Sequence, residues 1–196
     1  MGKRTEIRSR RKNEKIKAGF GVAIGIGIIL IGAILMFMPK NSSDNTVSAS
    51  SYSTIPVEVD FPAPELSLEN INSETESLTD YRGQVVLVNN WATWCPPCKA
   101  EMPELVAFYN DHAADGFMVV AVEAGQPKEE VLPFVEQLQM SFAVWLDPDG
   151  LALRAFKNNN LPNSYVIDRE GTVRLMWTGQ ISRPMLDKYV APLIDT

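Results

Sequence analysis

The stretch Asn90-Trp91-Ala92-Thr93-Trp94-Cys95-Pro96-Pro97-Cys98-Lys99 restricts this chain more than any other part of it. It carries the only two cysteines among 196 residues. They stand between an apolar run, Val85-Val86-Leu87-Val88-Asn89, and a helical pattern over residues 101–108. That order predicts a strand, a sharp turn, and a helix that opens on the cysteine pair. A helix N-terminus presents unpaired backbone N–H groups and a partial positive charge. A thiol placed there, as Cys95 is, ionises more readily than a free one, which titrates near about 8.5. Cys98 follows one turn later on the same face. The two α-carbons can then lie within the roughly 4.4–6.8 Å that a disulfide spans. Pro96 and Pro97 fit the first helical turn, where no ladder N–H is lost, and stiffen the loop.

Other uses of the pair fit less well. A staple across a two-residue loop removes little entropy from the unfolded chain. A closed zinc site needs a full tetrahedral ligand set, and the chain adds only His112 as a histidine, so no metal is expected. Covalent haem attachment needs a histidine directly after the second cysteine, where Lys99 stands. Trp91 and Trp94 flank the pair and are expected to form an exposed rim around it.

Residues 1–17 carry eight basic and two acidic side chains and read as a cytoplasmic tail. Residues 18–38, AGFGVAIGIGIILIGAILMFM, contain no charge. An apolar run of about 20 residues matches the thickness of a bilayer core. Signal peptides have shorter apolar cores, about 7–15 residues, and a small-residue cleavage site. Here the run ends in Phe37-Met38-Pro39-Lys40, so an uncleaved anchor is expected. The basic flank keeps the N-terminus inside and sends the rest of the chain outside. That remainder holds 10 basic and 22 acidic residues, which argues against nucleic acid as a partner. Residues 39–56 are rich in Asn, Ser and Thr and read as a flexible linker. Residues 57–196 suffice for one domain.

Within that domain, residues 57–68 have extended character, broken by Pro62 and Pro64, and residues 77–83 read as a turn or brief helix. Strands are predicted at 85–89, 117–122, 142–146, 164–167 and 172–177. Helices are predicted from the cysteines to 112, over 128–139, 151–156 and 184–194. Pro103 should bend the first of them. Strands alternating with helices, then a hairpin and a closing helix, predict an α/β fold with a central mixed sheet flanked by helices. The cysteine pair falls at the carboxyl end of a central strand, where open α/β sheets place their sites.

The blocks LTDYRGQVVLVNNWATWCPPCKAEMPEL (residues 78–105), FMVVAV, LDPDG and LPNSYVIDREG (residues 161–171) carry a resemblance to a known family. The chain resembles the thioredoxin-like superfamily, and within it the membrane-anchored TlpA/ResA type of thiol–disulfide oxidoreductase. The resemblance implies that Cys95 is the exposed attacking thiol and Cys98 the resolving one. It implies a cis peptide bond before Pro162, facing the cysteines, with Leu161, Pro162, Trp94, Pro96 and Pro97 meeting the substrate. It implies reduction of disulfides in extracytoplasmic proteins, apocytochrome c foremost. A transmembrane electron donor would restore the dithiol. No cofactor is implied, since the sulfurs carry the electrons, and a monomer is expected.

This sequence departs from the family pattern in places. Asn89 stands where many thioredoxins bury an aspartate as proton acceptor, and Asn163 where a threonine is usual after the cis-proline. Asn90 stands where an aromatic is common. Glu101 and Glu123 are the carboxylates left to relay a proton, although each reads as a surface residue. Two other classes share the cysteine chemistry. A copper carrier would hold Cu(I) on the two thiolates but would bring a further histidine to them. A thiol peroxidase would carry a threonine three residues before its reactive cysteine, where this chain has Ala92 before Cys95.

Overall fold

The computed structural model describes residues 55–196. The expected cytoplasmic tail, anchor and most of the linker lie outside the described residues. The domain contains the strands β1 (Val57–Pro62), β2 (Ser67–Asn70), β3 (Thr75–Ser77), β4 (Val85–Trp91), β5 (Phe117–Ala124), β6 (Ala143–Asp147), β7 (Asn163–Ile167) and β8 (Thr172–Thr178). Its α-helices are α1 (Pro96–His112), α2 (Lys128–Leu138), α3 (Leu151–Ala155), α4 (Arg183–Tyr189) and α5 (Ala191–Ile194). The strands form one mixed sheet in the order β1-β8-β7-β4-β5-β6-β2-β3. β4, β5 and β6 run parallel, and β7 lies antiparallel against β4.

β4 sits in the middle and is buried at every position. Its side chains alternate between two cores, as a strand covered on both faces must. Val85, Leu87 and Trp91 join Met102, Leu105 and Phe108 of α1 on one side. Val86 and Val88 join Tyr165, Ile167 and Phe156 on the other. The apolar run that announced β4 thus becomes the fixed rail from which the cysteine loop springs.

Two elements differ from expectation. β3 was not foreseen; it returns from β2 through a turn in which Asn70 Oδ1 accepts from the N–H groups of Asn72 and Glu74 at 2.8 and 3.0 Å. Residues 78–81 form a short 3₁₀ turn capped by Ser77 and Asp80, as the turn or brief helix expected over residues 77–83. The predicted closing helix is two, α4 and α5, broken at Val190. Pro192 has no N–H to offer the carbonyl four residues back, so the first helix stops and a new one starts with Pro192 in its first turn. Pro103, by contrast, lies inside α1, which runs on to His112.

Candidate active site

Cys95 is the N-cap of α1, in extended backbone, and Pro96 and Pro97 form the first helical positions. The two sulfurs are joined in a disulfide, with α-carbons 5.3 Å apart. Cys95 Sγ accepts the backbone N–H of Cys98 at 3.4 Å, one of the orphan donors of the helix start. Cys95 is only 4% exposed and Cys98 is fully covered. Cys95, the expected attacking thiol, is therefore far less open than expected, though it remains the more accessible of the two.

The tryptophans divide. Trp94 is 64% exposed and forms a rim with the exposed Pro96 and Pro97. Trp91 is fully buried and packs its ring at a tilt against Phe134 of α2, ring centroids 5.2 Å apart. It is an inward position of β4, which the strand period decides.

The Leu161–Pro162 bond is cis. Pro162 is buried, and its carbonyl accepts from Gly179 N–H at 2.8 Å. β7 begins directly after it, with Asn163 paired to Asn90 of β4. Half-buried Leu161 packs against the core that contains both cysteines. Among the described residues, neither backbone polar group of Leu161 is used in a hydrogen bond.

Glu101 and Glu123 are not surface residues; both are fully buried. Glu101 lies one turn beyond Cys98, on the face that also carries Met102, Leu105 and Phe108. Its Oε1 accepts from Asn89 Nδ2 at 2.8 Å and its Oε2 from Ile181 N–H at 2.9 Å. Asn89 Nδ2 also donates to Ser164 Oγ at 2.8 Å. The asparagine in the expected aspartate position therefore serves the glutamate on the helix. Burial pushes the Glu101 carboxyl up to about 8, against the pull of the Ile181 and Asn89 donors. Glu123 follows Phe117, Val119 and Ala121 on the inward face of β5. Burial pushes it up to about 6, opposed by the Gln126 N–H that its Oε2 accepts at 2.8 Å.

Gln126 was not singled out in the sequence. Its Oε1 accepts both the N–H and the hydroxyl of Thr93, at 2.9 and 2.7 Å. The cysteine loop is thereby tied to the end of β5. His112 closes α1 at the opposite end from the sulfurs, its ring tilted against Phe108 with centroids 4.4 Å apart, and lies 3.8 Å from Asp115.

A buried cysteine pair at a helix start, a proline-backed loop with a free edge, and a carboxyl titrating near a thiol's range together equip the site for thiol–disulfide exchange. The comparisons with known proteins agree. The sequence model of the AhpC/TSA family matches residues 59–176. The chain is 33% identical over 134 residues to the thiol-disulfide oxidoreductase ResA of Geobacillus thermodenitrificans, covering 68% of this chain and 77% of that one. To ResA of Bacillus subtilis it is 35% identical over 128 residues, covering 65% and 72%. Among solved structures, a putative thiol:disulfide interchange protein DsbE from Chlorobium tepidum aligns with a TM-score of 0.65 at 28% identity. That alignment covers 72% of this chain and 99% of the other.

Proposed function

Because the chain belongs to the AhpC/TSA family of thioredoxin-like proteins and is a thiol–disulfide oxidoreductase of the ResA type, we propose that it reduces disulfides in exported proteins from the outer face of the cell membrane. The observation that carries the reading is the pairing of Cys95 at the α1 N-cap with Glu101 buried one turn beyond Cys98. Residues 18–38 hold the protein in the membrane as a single span, with residues 1–17 inside and the domain outside. The apolar run and its basic flank support that placement.

The cycle begins with the reduced pair. The Cys95 thiolate attacks one sulfur of the substrate disulfide and releases the other as a thiolate, which takes up a proton. Cys98 gives its proton to Glu101 and attacks Cys95 Sγ. The second substrate thiol leaves, and the Cys95–Cys98 disulfide remains. Two enzyme thiols and one substrate disulfide become one enzyme disulfide and two substrate thiols. Glu101 suits the middle step because its pKa, about 8, lies near the value of an ordinary free thiol, about 8.5. Glu123 accepts from Gln126, which in turn holds Thr93, so its place is behind the cysteine loop. Substrate lies as an extended segment along Leu161, whose backbone donor and acceptor are free, with Trp94, Pro96 and Pro97 as the opposing rim. Apocytochrome c before haem attachment is the foremost substrate, and a transmembrane dithiol donor resets the enzyme. The protein works as a monomer without a cofactor.

Trapping tests this. Cys98→Ser cannot resolve its mixed disulfide, so in growing cells it should accumulate covalent adducts with exported cysteine proteins, identifiable by mass spectrometry. An empty trap where the wild type is active would overturn the mechanism.

A further inference from the structure

Asn90 and Asn163 face each other across β4 and β7. They are 1% and 0% exposed. Asn90 Nδ2 donates to Asn163 Oδ1 at 2.7 Å. Asn163 Nδ2 donates to the Asn160 carbonyl at 2.6 Å and reaches the Asn158 carbonyl at 3.4 Å. Those carbonyls fix which way both amides point, since only a nitrogen can face them. The loop is then tied further: Asn160 N–H donates to Asn158 Oδ1 at 3.1 Å, and Asn158 Nδ2 to Thr178 Oγ1 at 3.0 Å. One buried side chain thus connects the strand that leads into the cysteine loop with the loop that carries Leu161 and Pro162. The connection has a cost, because Asn90 Oδ1 is buried without a partner. An apolar residue at position 90 would avoid that cost and lose the connection.

We propose that the Asn90–Asn163 pair is a positioning element for the substrate backbone: it holds the Leu161 N–H and C=O in register with an extended, disulfide-bearing segment lying across Cys95. The proposal rests on the reading above that this loop receives substrate. It assigns both asparagines to the recognition of protein disulfides, as opposed to small ones. A disulfide without a peptide backbone has nothing to align and gains nothing from the pair.

The test uses the full-length protein, reduced beforehand, in single-turnover oxidation by two disulfides. Insulin offers disulfides set in peptide, and cystamine offers one without a backbone. In each reaction the two enzyme thiols become the Cys95–Cys98 disulfide and the oxidant becomes two thiols. Asn163→Ala should slow the insulin reaction about tenfold, the equivalent of one well-made hydrogen-bond network lost from the bound state. The cystamine rate should stay within about twofold of wild type, which also shows that the variant is folded. Asn90→Ala should lower the same ratio, and the double variant should be no worse than Asn163→Ala alone, because the two act as one unit. Equal losses on both substrates, no loss on insulin, or losses that multiply would each overturn the proposal. Pro162→Thr separates it from its premise. If that variant lowers the insulin-to-cystamine ratio while Asn163→Ala does not, the loop receives substrate and the asparagine pair is idle. If Pro162→Thr leaves the ratio unchanged, the premise itself fails.

Discussion

At the scale of the residue, Glu101 is the group whose chemistry is most changed by the fold. A carboxyl that ordinarily titrates near 4.5 is held at about 8 by burial. Glu101→Gln should slow resolution of the mixed disulfide on the order of 100-fold, and should lack the rise in rate expected of the wild type as pH passes about 8. Stopped-flow of a preformed mixed disulfide against pH reads both. The same shift is a statement about stability. The fold binds this proton more tightly than the unfolded chain does. Its contribution is full below the unfolded value of 4.5 and is lost as pH rises through about 8. Urea titrations across that window should show wild type weakening with pH relative to Glu101→Gln, by roughly a few kcal/mol. Glu101 was legible as a proton acceptor by type but not by place. Its spacing from Cys98 and Leu105, three before and four after, was the available signal, because that spacing puts it on the buried face of α1.

At the scale of the element, the strand, turn and helix around the cysteines were legible because their signals are local. An apolar run, two prolines and a helical period all lie within residues 85–112. The support beneath the loop was not legible. Thr93 is held by Gln126, 33 positions away, at the end of another strand. No period or spacing links two such residues; only the parallel pairing of β4 with β5 brings them together. Gln126→Ala orphans two donors of half-buried Thr93, and should cost about 1–3 kcal/mol in denaturant unfolding of the oxidised protein. Val190 shows the converse limit. The apolar pattern through residues 184–194 continues across the break, so hydrophobic period alone joined two helices that Pro192 separates.

At the scale of the whole molecule, the sheet order decides which departures from the family pattern compensate one another. Asn90 and Asn163 are 73 positions apart and meet because β7 runs antiparallel beside β4. Asn89 meets Ser164 for the same reason and meets Glu101 because α1 packs back over β4. Taken singly, each asparagine is an unexplained polar residue in an apolar run; taken together they make two buried networks. The full chain should sediment with membranes after high-salt washing, because the proposed anchor at residues 18–38 would attach it by apolar contacts that salt does not screen. Protease added to cells stripped of their wall should digest the domain and spare a membrane-bound N-terminal fragment. Recovery in the salt wash, or protection of the domain from protease, would count against the placement.

By itself the sequence determined the redox chemistry and the fold class. Both rest on features that act over a few residues: a thiol where a helix begins, and apolar periods that switch between strand and helix. The tertiary structure alone decided which polar groups serve that thiol. A buried carboxyl, an amide or a free backbone edge has its properties set by what surrounds it, and those surroundings are assembled from distant parts of the chain.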